Sequence, residues 1–212
     1  MIKELKLSAR ESLNGRWVFM ALMFLLFLII QGIPATFSSD PNEDFQFIDL
    51  IGFVLNILFL PLAIGWAWLA LSVARKEEAK IVDLFEPYKL FLKAVGLSLV
   101  QGILLGLWFL LLIVPGIIKS FSYMLTYYIL RDEPSIGTLD AITRSRQMMD
   151  GHKMEAFMLV LSFIGWFLLG LITIGIAFLW VGPYFSVTLA KFYDRIRGEE
   201  APVEESTFVA PY

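Results

Sequence analysis

Long stretches without a charged side chain set the pattern of this sequence. Trp17 to Ser39, Leu50 to Ala74, Ala94 to Ile118 and Ala156 to Ala190 carry no Asp, Glu, Lys, Arg or His. About 20 apolar residues, rising about 1.5 Å each, cross the hydrocarbon core of a bilayer. The first two stretches therefore predict one span each, at 17–38 and 50–74. The last is long enough for two short crossings, 156–172 and 174–190, with Gly175 in the turn between them. From Ala94 to Leu130 the only charge is Lys119, and Pro115-Gly116 interrupts the run. Proline removes a helical hydrogen bond and glycine eases a turn, so a hairpin of 94–114 and 116–130 is predicted. Its second arm is short enough that it either crosses a thinned bilayer or re-enters. Pro61 and Pro183 are expected to break the helices around them.

The segments before the hairpins share a theme. Amphipathic helices are predicted at 3–14, 80–91 and 136–150, lying flat at the membrane surface. Aligning the first with the last pairs Arg10 with Arg146, Leu13 with Met149, Asn14 with Asp150 and Gly15 with Gly151. The glycines fit the position after a helix end, where positive φ is cheap. Thr138 is the expected N-cap of the third helix, with Ile136, Leu139, Ile142, Met149 and the stem of Arg146 on one face and an Asp140–Arg144 pair on another. His152, just past Gly151, is expected to offer its ring to the terminal carbonyls. The fold class that follows is all-α: a polytopic membrane protein with about six transmembrane helices as three hairpins, each preceded by a short cytoplasmic amphipathic helix. A single membrane domain spans 1–197, and 198–212 forms a disordered acidic cytoplasmic tail.

Composition strengthens this picture. Of 212 residues, 58% are hydrophobic and 17% charged. Soluble domains carry about 25% charged residues, and a chain this short has too little interior to hide the apolar surplus. A soluble globular enzyme and a disordered chain are both excluded as starting points. Charge then orients the spans. All 17 Lys and Arg except Lys119 fall on one side of a six-span arrangement, while the loop from Asp40 to Asp49 has only Asp40, Glu43, Asp44 and Asp49. Basic loops stay cytoplasmic, so both termini are expected there, with Lys119 alone outside and no cleaved leader before the first span.

The chemistry on offer is sparse. There is no cysteine and one histidine, which excludes a disulfide framework and multi-histidine metal motifs. Lys119 at the outer turn apart, no ionisable residue lies in a predicted span, and such residues are the usual mark of proton relays and intramembrane catalysis. No enzyme, cofactor or metal site is expected, and no nucleic-acid partner. The polar residues within spans either hydrogen-bond between helices, the more common role, or line a cavity for an uncharged or amphipathic ligand. Asn56, Gln101, Tyr123, Thr126 and Tyr184 are the candidates for such a cavity, with Pro61, Pro115, Gly116, Gly151, Gly175 and Pro183 as the turns or breaks that shape it.

Several runs in order carry a family likeness. They are Leu111 through Val114-Pro115-Gly116 to Lys119, then Asp150-Gly151-His152-Lys153, Ser162-Phe163-Ile164-Gly165-Trp166, Thr173-Ile174-Gly175-Ile176, Gly182-Pro183-Tyr184 and Phe192-Tyr193, preceded by Ala9-Arg10 with Leu13 and Gly15. Together they resemble the bacterial integral-membrane family known as domain of unknown function 975. That family is similar in plan to the membrane domain attached to some glycerophosphodiester phosphodiesterases. The resemblance implies a bacterial inner-membrane protein and hints at lipid-related work, without implying any catalytic residue. The expected function is non-enzymatic: binding, organising or helping export a lipid or amphipathic peptide. The alternatives are a facilitative transporter or channel for a neutral solute, and an accessory subunit of a membrane complex. Membrane lipids are the expected partners, with a partner protein docking through the helix from Thr138 to Asp150 or through the acidic tail.

Overall fold

A computed structural model describes residues 1–37 and 46–200. Among them the chain is entirely helical: α1 (Ile2–Leu13), α2 (Trp17–Gly32), α3 (Phe47–Ala74), α4 (Phe91–Leu111), α5 (Ile113–Tyr123), α6 (Thr126–Asp132), α7 (Thr138–Met148), α8 (Lys153–Leu161), α9 (Ile164–Ile172) and α10 (Phe178–Glu200). Two 3₁₀ segments, Ile33–Phe37 and Ile81–Leu90, extend α2 and precede α4. Among the described residues five stretches are long and apolar enough to cross a membrane: Trp17–Phe37, Phe47–Ala74, Ile81–Leu111, Ile113–Asp132 and Lys153–Ile172. The predicted span 174–190 is not among them. Its helix starts only at Phe178, and the apolar part to Ala190 is about 20 Å long at 1.5 Å per residue.

The core lies where α3, α10 and α1 meet. Leu62, Leu69, Leu71, Val73, Val187, Phe192, Ala9 and Leu13 are completely buried there. Trp66 Nε1 donates to Ser186 Oγ at 2.8 Å and Trp68 Nε1 to the Tyr127 carbonyl at 2.8 Å, so these indoles tie α3 to α10 and α6. The 3₁₀ segment Ile81–Leu90 presses closely on α3. A Cβ on Gly65 would stand 1.9 Å from the Leu84 carbonyl oxygen, so only glycine allows the approach. This segment replaces the α-helix expected at 80–91. Pro87 lies within it, and Asp83 Oδ2 accepts from the Lys80 amide at 2.7 Å. Proline and a local carboxylate cap both compete with a regular α-helix.

Neither Pro61 nor Pro183 breaks its helix, since both lie inside continuous elements, α3 and α10. In the turn before Pro61 the Leu58 carbonyl accepts from Tyr88 OH at 3.1 Å, an outside donor where proline disturbs the ladder. The α4–α5 turn falls at Leu112, in extended conformation, rather than at Pro115-Gly116. Pro115 occupies the first turn of α5, where a missing N–H costs nothing. Gly116 is buried against the Phe109 ring instead. The predicted spans 116–130 and 156–172 are each two helices. Between α5 and α6, Ser145 Oγ accepts from the Leu125 amide at 3.3 Å and donates to the Ser122 carbonyl at 2.8 Å. Between α8 and α9, Lys6 Nζ donates to the Ser162 carbonyl at 2.8 Å.

Gly15 and Gly151 turn the chain out of α1 and α7 with φ of +76° and +81°, as glycine after a helix end is expected to do. Gly175 lies in the α9–α10 turn, also with positive φ. The α7 details depart from expectation. Gly137, not Thr138, is the N-cap, and the buried face is Ala141, Ile142, Ser145 and Met148, with Leu139 and Arg146 exposed. Arg144 pairs with Glu133 at 3.2 Å instead of Asp140. At the other end, α10 continues to Glu200, so residues 198–200 are helical where a tail was predicted; the rest of that tail and most of the acidic loop at 40–49 lie outside the described residues.

Candidate functional site

Charges cluster at one end of the helices. Arg75, just past α3, donates from Nη1 and Nη2 to Asp132 Oδ1 and Oδ2, both at 2.8 Å, and from Nη2 to Asp194 Oδ1 at 2.7 Å. Asp132 Oδ2 also accepts from Arg197 Nη1 at 2.7 Å and Tyr193 OH at 2.8 Å. Hydrogen bonding to Asp132, with Asp194 adding to it, holds Arg75 above the ordinary arginine range, so it stays charged. Burial pushes the Tyr193 hydroxyl well above its usual value, and Asp132 reinforces the shift. Beside this cluster Arg131 donates to the Trp68 carbonyl, Ser72 Oγ and Glu77 Oε2. Every charge at the centre is answered by another. The network joins α3, α6 and α10, and sequence reasoning missed it. The available signal is that Arg75 and Arg131-Asp132 stand where apolar runs end.

The cavity residues expected from the sequence divide into three places. Asn56 Nδ2 donates to the Gly52 carbonyl of its own helix at 3.0 Å. Gln101 Nε2 and Thr126 Oγ1 both donate to the Tyr123 carbonyl, at 3.4 and 2.7 Å, forming one inter-helix knot. Tyr184 is elsewhere, its hydroxyl donating to the Lys6 carbonyl at 3.2 Å. Tyr184 lines a pocket beside α1. His152 also departs from the expected cap: its ring faces carboxylates, Nδ1 at 3.5 Å from Glu155 and Nε2 at 3.7 Å from Glu199. Glu155 is held in turn by Arg195. Those acidic groups follow from α8 and α10 packing side by side, which no local sequence rule reveals.

Among the described residues, pockets near α1 and near α7 each join a polar and an apolar half. Near α1, Arg10, Trp17, Trp166, Trp180, Val181 and Tyr184 enclose about 260 Å³, with Tyr184 6.0 Å from Trp17 and 6.5 Å from Trp166 between ring centres. Arg10 and Trp17 also line a neighbouring pocket with Glu11 and Asn14. Near α7, Lys119, Arg146 and Lys153 line a polar pocket with Asp150. Lys153 also borders an apolar groove of Val114, Ile117, Ile118, Phe121, Met154 and Phe157. Lys119 therefore stands with two basic residues from which the sequence had set it apart. The reason is the length of the arm. Lys119 is the seventh residue of α5, about 10 Å from the turn at Leu112, and α5 folds back along α4.

The turn Asp150-Gly151-His152-Lys153 and the tight Gly182-Pro183-Tyr184 contact with α2 are now placed, Gly182 facing the Phe24 ring. Residues 109–200 match the DUF975 family model. The family is described as a protein of unknown function, and the match agrees with the resemblance seen in the sequence. The matched residues take in α5 to α10, and with them Lys119, Arg146, Lys153, Trp166 and Tyr184; Arg10 and Trp17 precede them. No curated protein and no solved structure matches the chain.

Proposed function

We propose that this is a non-catalytic bilayer protein that binds an amphiphile, a lipid or an amphipathic peptide, and organises it or assists its export. The observation that carries the reading is the pairing of pockets: each polar pocket shares residues with an apolar one, Arg10 and Trp17 at α1 and Lys153 at α7. An amphiphile needs both halves at once. Binding sites of this kind are mostly apolar with a few convergent polar groups. The scatter of Asn56, Gln101 and Tyr184 gives no continuous polar path, which weighs against a solute channel. The saturated pairing at Arg75 suits a structural clamp better than a catalytic centre.

The same reading includes a topology. The protein resides in a bacterial inner membrane with both termini cytoplasmic. In this arrangement α2 and α3 cross fully, and the α4–α5 hairpin enters from the cytoplasmic side and returns. Support comes from Lys119, which shares a pocket with Lys153, next to the ion pairs joining α8 to the end of α10. A full crossing would need about 30 Å, more than α5 supplies between Leu112 and Lys119. The Lys and Arg residues near both ends of the chain support cytoplasmic termini. α1 and α7 lie at the surface on that side.

Native mass spectrometry of the gently solubilised full chain tests the reading. A lipid or peptide is expected to remain bound at fixed stoichiometry through detergent exchange. A bare chain, or one with only random lipid, refutes it and favours an accessory subunit.

A further inference from the structure

The surface helix occurs twice, and of the two pockets beside it the second carries an excess of positive charge. A displacement of 136 residues carries the polar pocket beside α1 onto the one beside α7: Leu7 to Thr143, Arg10 to Arg146, Glu11 to Gln147, Asn14 to Asp150 and Trp17 to Lys153. The buried faces obey the same displacement, with Leu5, Ala9, Ser12 and Leu13 answering to Ala141, Ser145, Met148 and Met149. So do the turns. The Arg16 amide donates to the Leu13 carbonyl and the His152 amide to the Met149 carbonyl, around glycines of positive φ.

A shared scaffold makes the differences chemically legible. In the first copy Arg10 is balanced by Glu11. In the second, glutamine replaces that carboxylate, lysine replaces Trp17, and α5 adds Lys119. Three cations then face one carboxylate, the exposed Asp150, whose Oδ1 is 3.4 Å from Lys153 Nζ. Among the described residues neither Lys119 nor Arg146 has an acidic partner within ion-pair distance; Lys119 Nζ instead sits 4.7 Å over the Trp108 ring. Lys153 is also the border with the apolar groove of about 270 Å³ between α5 and α8.

We propose that this composite site holds one anionic glycerophospholipid, its phosphate among Lys119, Arg146 and Lys153 and its acyl chain along Ile117, Phe121, Met154 and Phe157. The proposal rests on the amphiphile-binding reading and names its ligand class. Charge complementarity selects the occupant. Arginine and lysine form strong charge-assisted hydrogen bonds to phosphate, and a net excess of positive charge suits a phosphodiester without a cationic headgroup. A choline headgroup would bring a further cation to a pocket already holding three. The groove supplies what a free phosphate does not need, an apolar surface continuous with the anion site.

The test titrates delipidated full-length protein in neutral detergent with dioleoyl phosphatidylglycerol or dioleoyl phosphatidylcholine, read by native mass spectrometry. One phosphatidylglycerol should bind about tenfold tighter than phosphatidylcholine. A basic residue beside anionic lipid contributes about fivefold in affinity, so the K119Q/R146Q double variant should lose about 25-fold and its headgroup preference. K89Q, which removes an exposed pair with Glu86 in the 3₁₀ segment, should change nothing, and Q147E, which imports the carboxylate of the first copy, should cost about fivefold. Inorganic phosphate at the lipid's concentration should not displace it. Equal binding of the two lipids, displacement by that phosphate, or unchanged affinity in both K119Q/R146Q and Q147E overturns the site while leaving amphiphile binding standing. Retention of no lipid at all overturns both.

Discussion

Replacing Arg75 with methionine removes the residue that bridges α6 and α10 from the end of α3. Asp132 and Asp194 would then face one another without their shared cation. Removing one partner of a fully buried pair costs about 3–5 kcal/mol. The discount here is set by the structure: the Arg75 and Asp194 side chains are 22% and 28% exposed, and Asp132 keeps Arg197 and Tyr193. That leaves a destabilisation of about 2–3 kcal/mol. For a chain of this size each kcal/mol lowers Tm by about 2–4 °C, so R75M should melt about 5–10 °C below wild type. The assay is thermal unfolding of purified protein in one detergent, followed by loss of monodisperse elution. Adding D194N to R75M should recover about 1 kcal/mol, because contacting partners couple. R144Q removes a pair in which both side chains are over 40% exposed and should shift Tm by no more than about 2 °C. An R75M shift as small as that of R144Q, or no recovery in the double variant, refutes the clamp.

Packing and topology yield two more tests. G65A should cost about 1–3 kcal/mol, because the new methyl meets the Leu84 carbonyl carbon and oxygen; G96A, with nothing within 4 Å of its Cβ, should be neutral or gain about 1 kcal/mol, and equal effects at the two sites would refute the close approach. The chain has no cysteine, so K119C can be probed alone with a membrane-impermeant maleimide. Labelling is expected from the cytoplasmic face in inverted vesicles and absent in intact cells; the opposite pattern refutes the placement of Lys119.

Much of this protein was legible in its sequence because a bilayer imposes one-dimensional constraints. Charge-free length dictates helix, since every backbone polar group must be satisfied locally in lipid. That gave the start of α2 and the end of α3 to the residue. Glycine after a helix end gave the turns at Gly15 and Gly151, and octet alignment gave the likeness of α1 to α7. Proline misled, because its effect depends on what stands beside it. Tyr88 meets the Leu58 carbonyl near Pro61, and the first turn of α5 accommodates Pro115.

Tertiary structure alone decided which side chains meet. Arg75 lies more than fifty residues from Asp132 and more than a hundred from Asp194, and only the packing of α3 against α6 and α10 makes them a cluster. Lys119 looked like the odd charge on the far side until α5 proved too short to carry it away from Arg146 and Lys153. Local sequence sets the periodicity and capping of each helix through contacts within a few residues. The ion pairs and the composite pockets are contacts between helices, fixed by side-chain complementarity across the fold. The sequence therefore determined that the protein is an all-helical chain with membrane-spanning character. The third dimension decided where its charges are balanced and where they are left to hold something else.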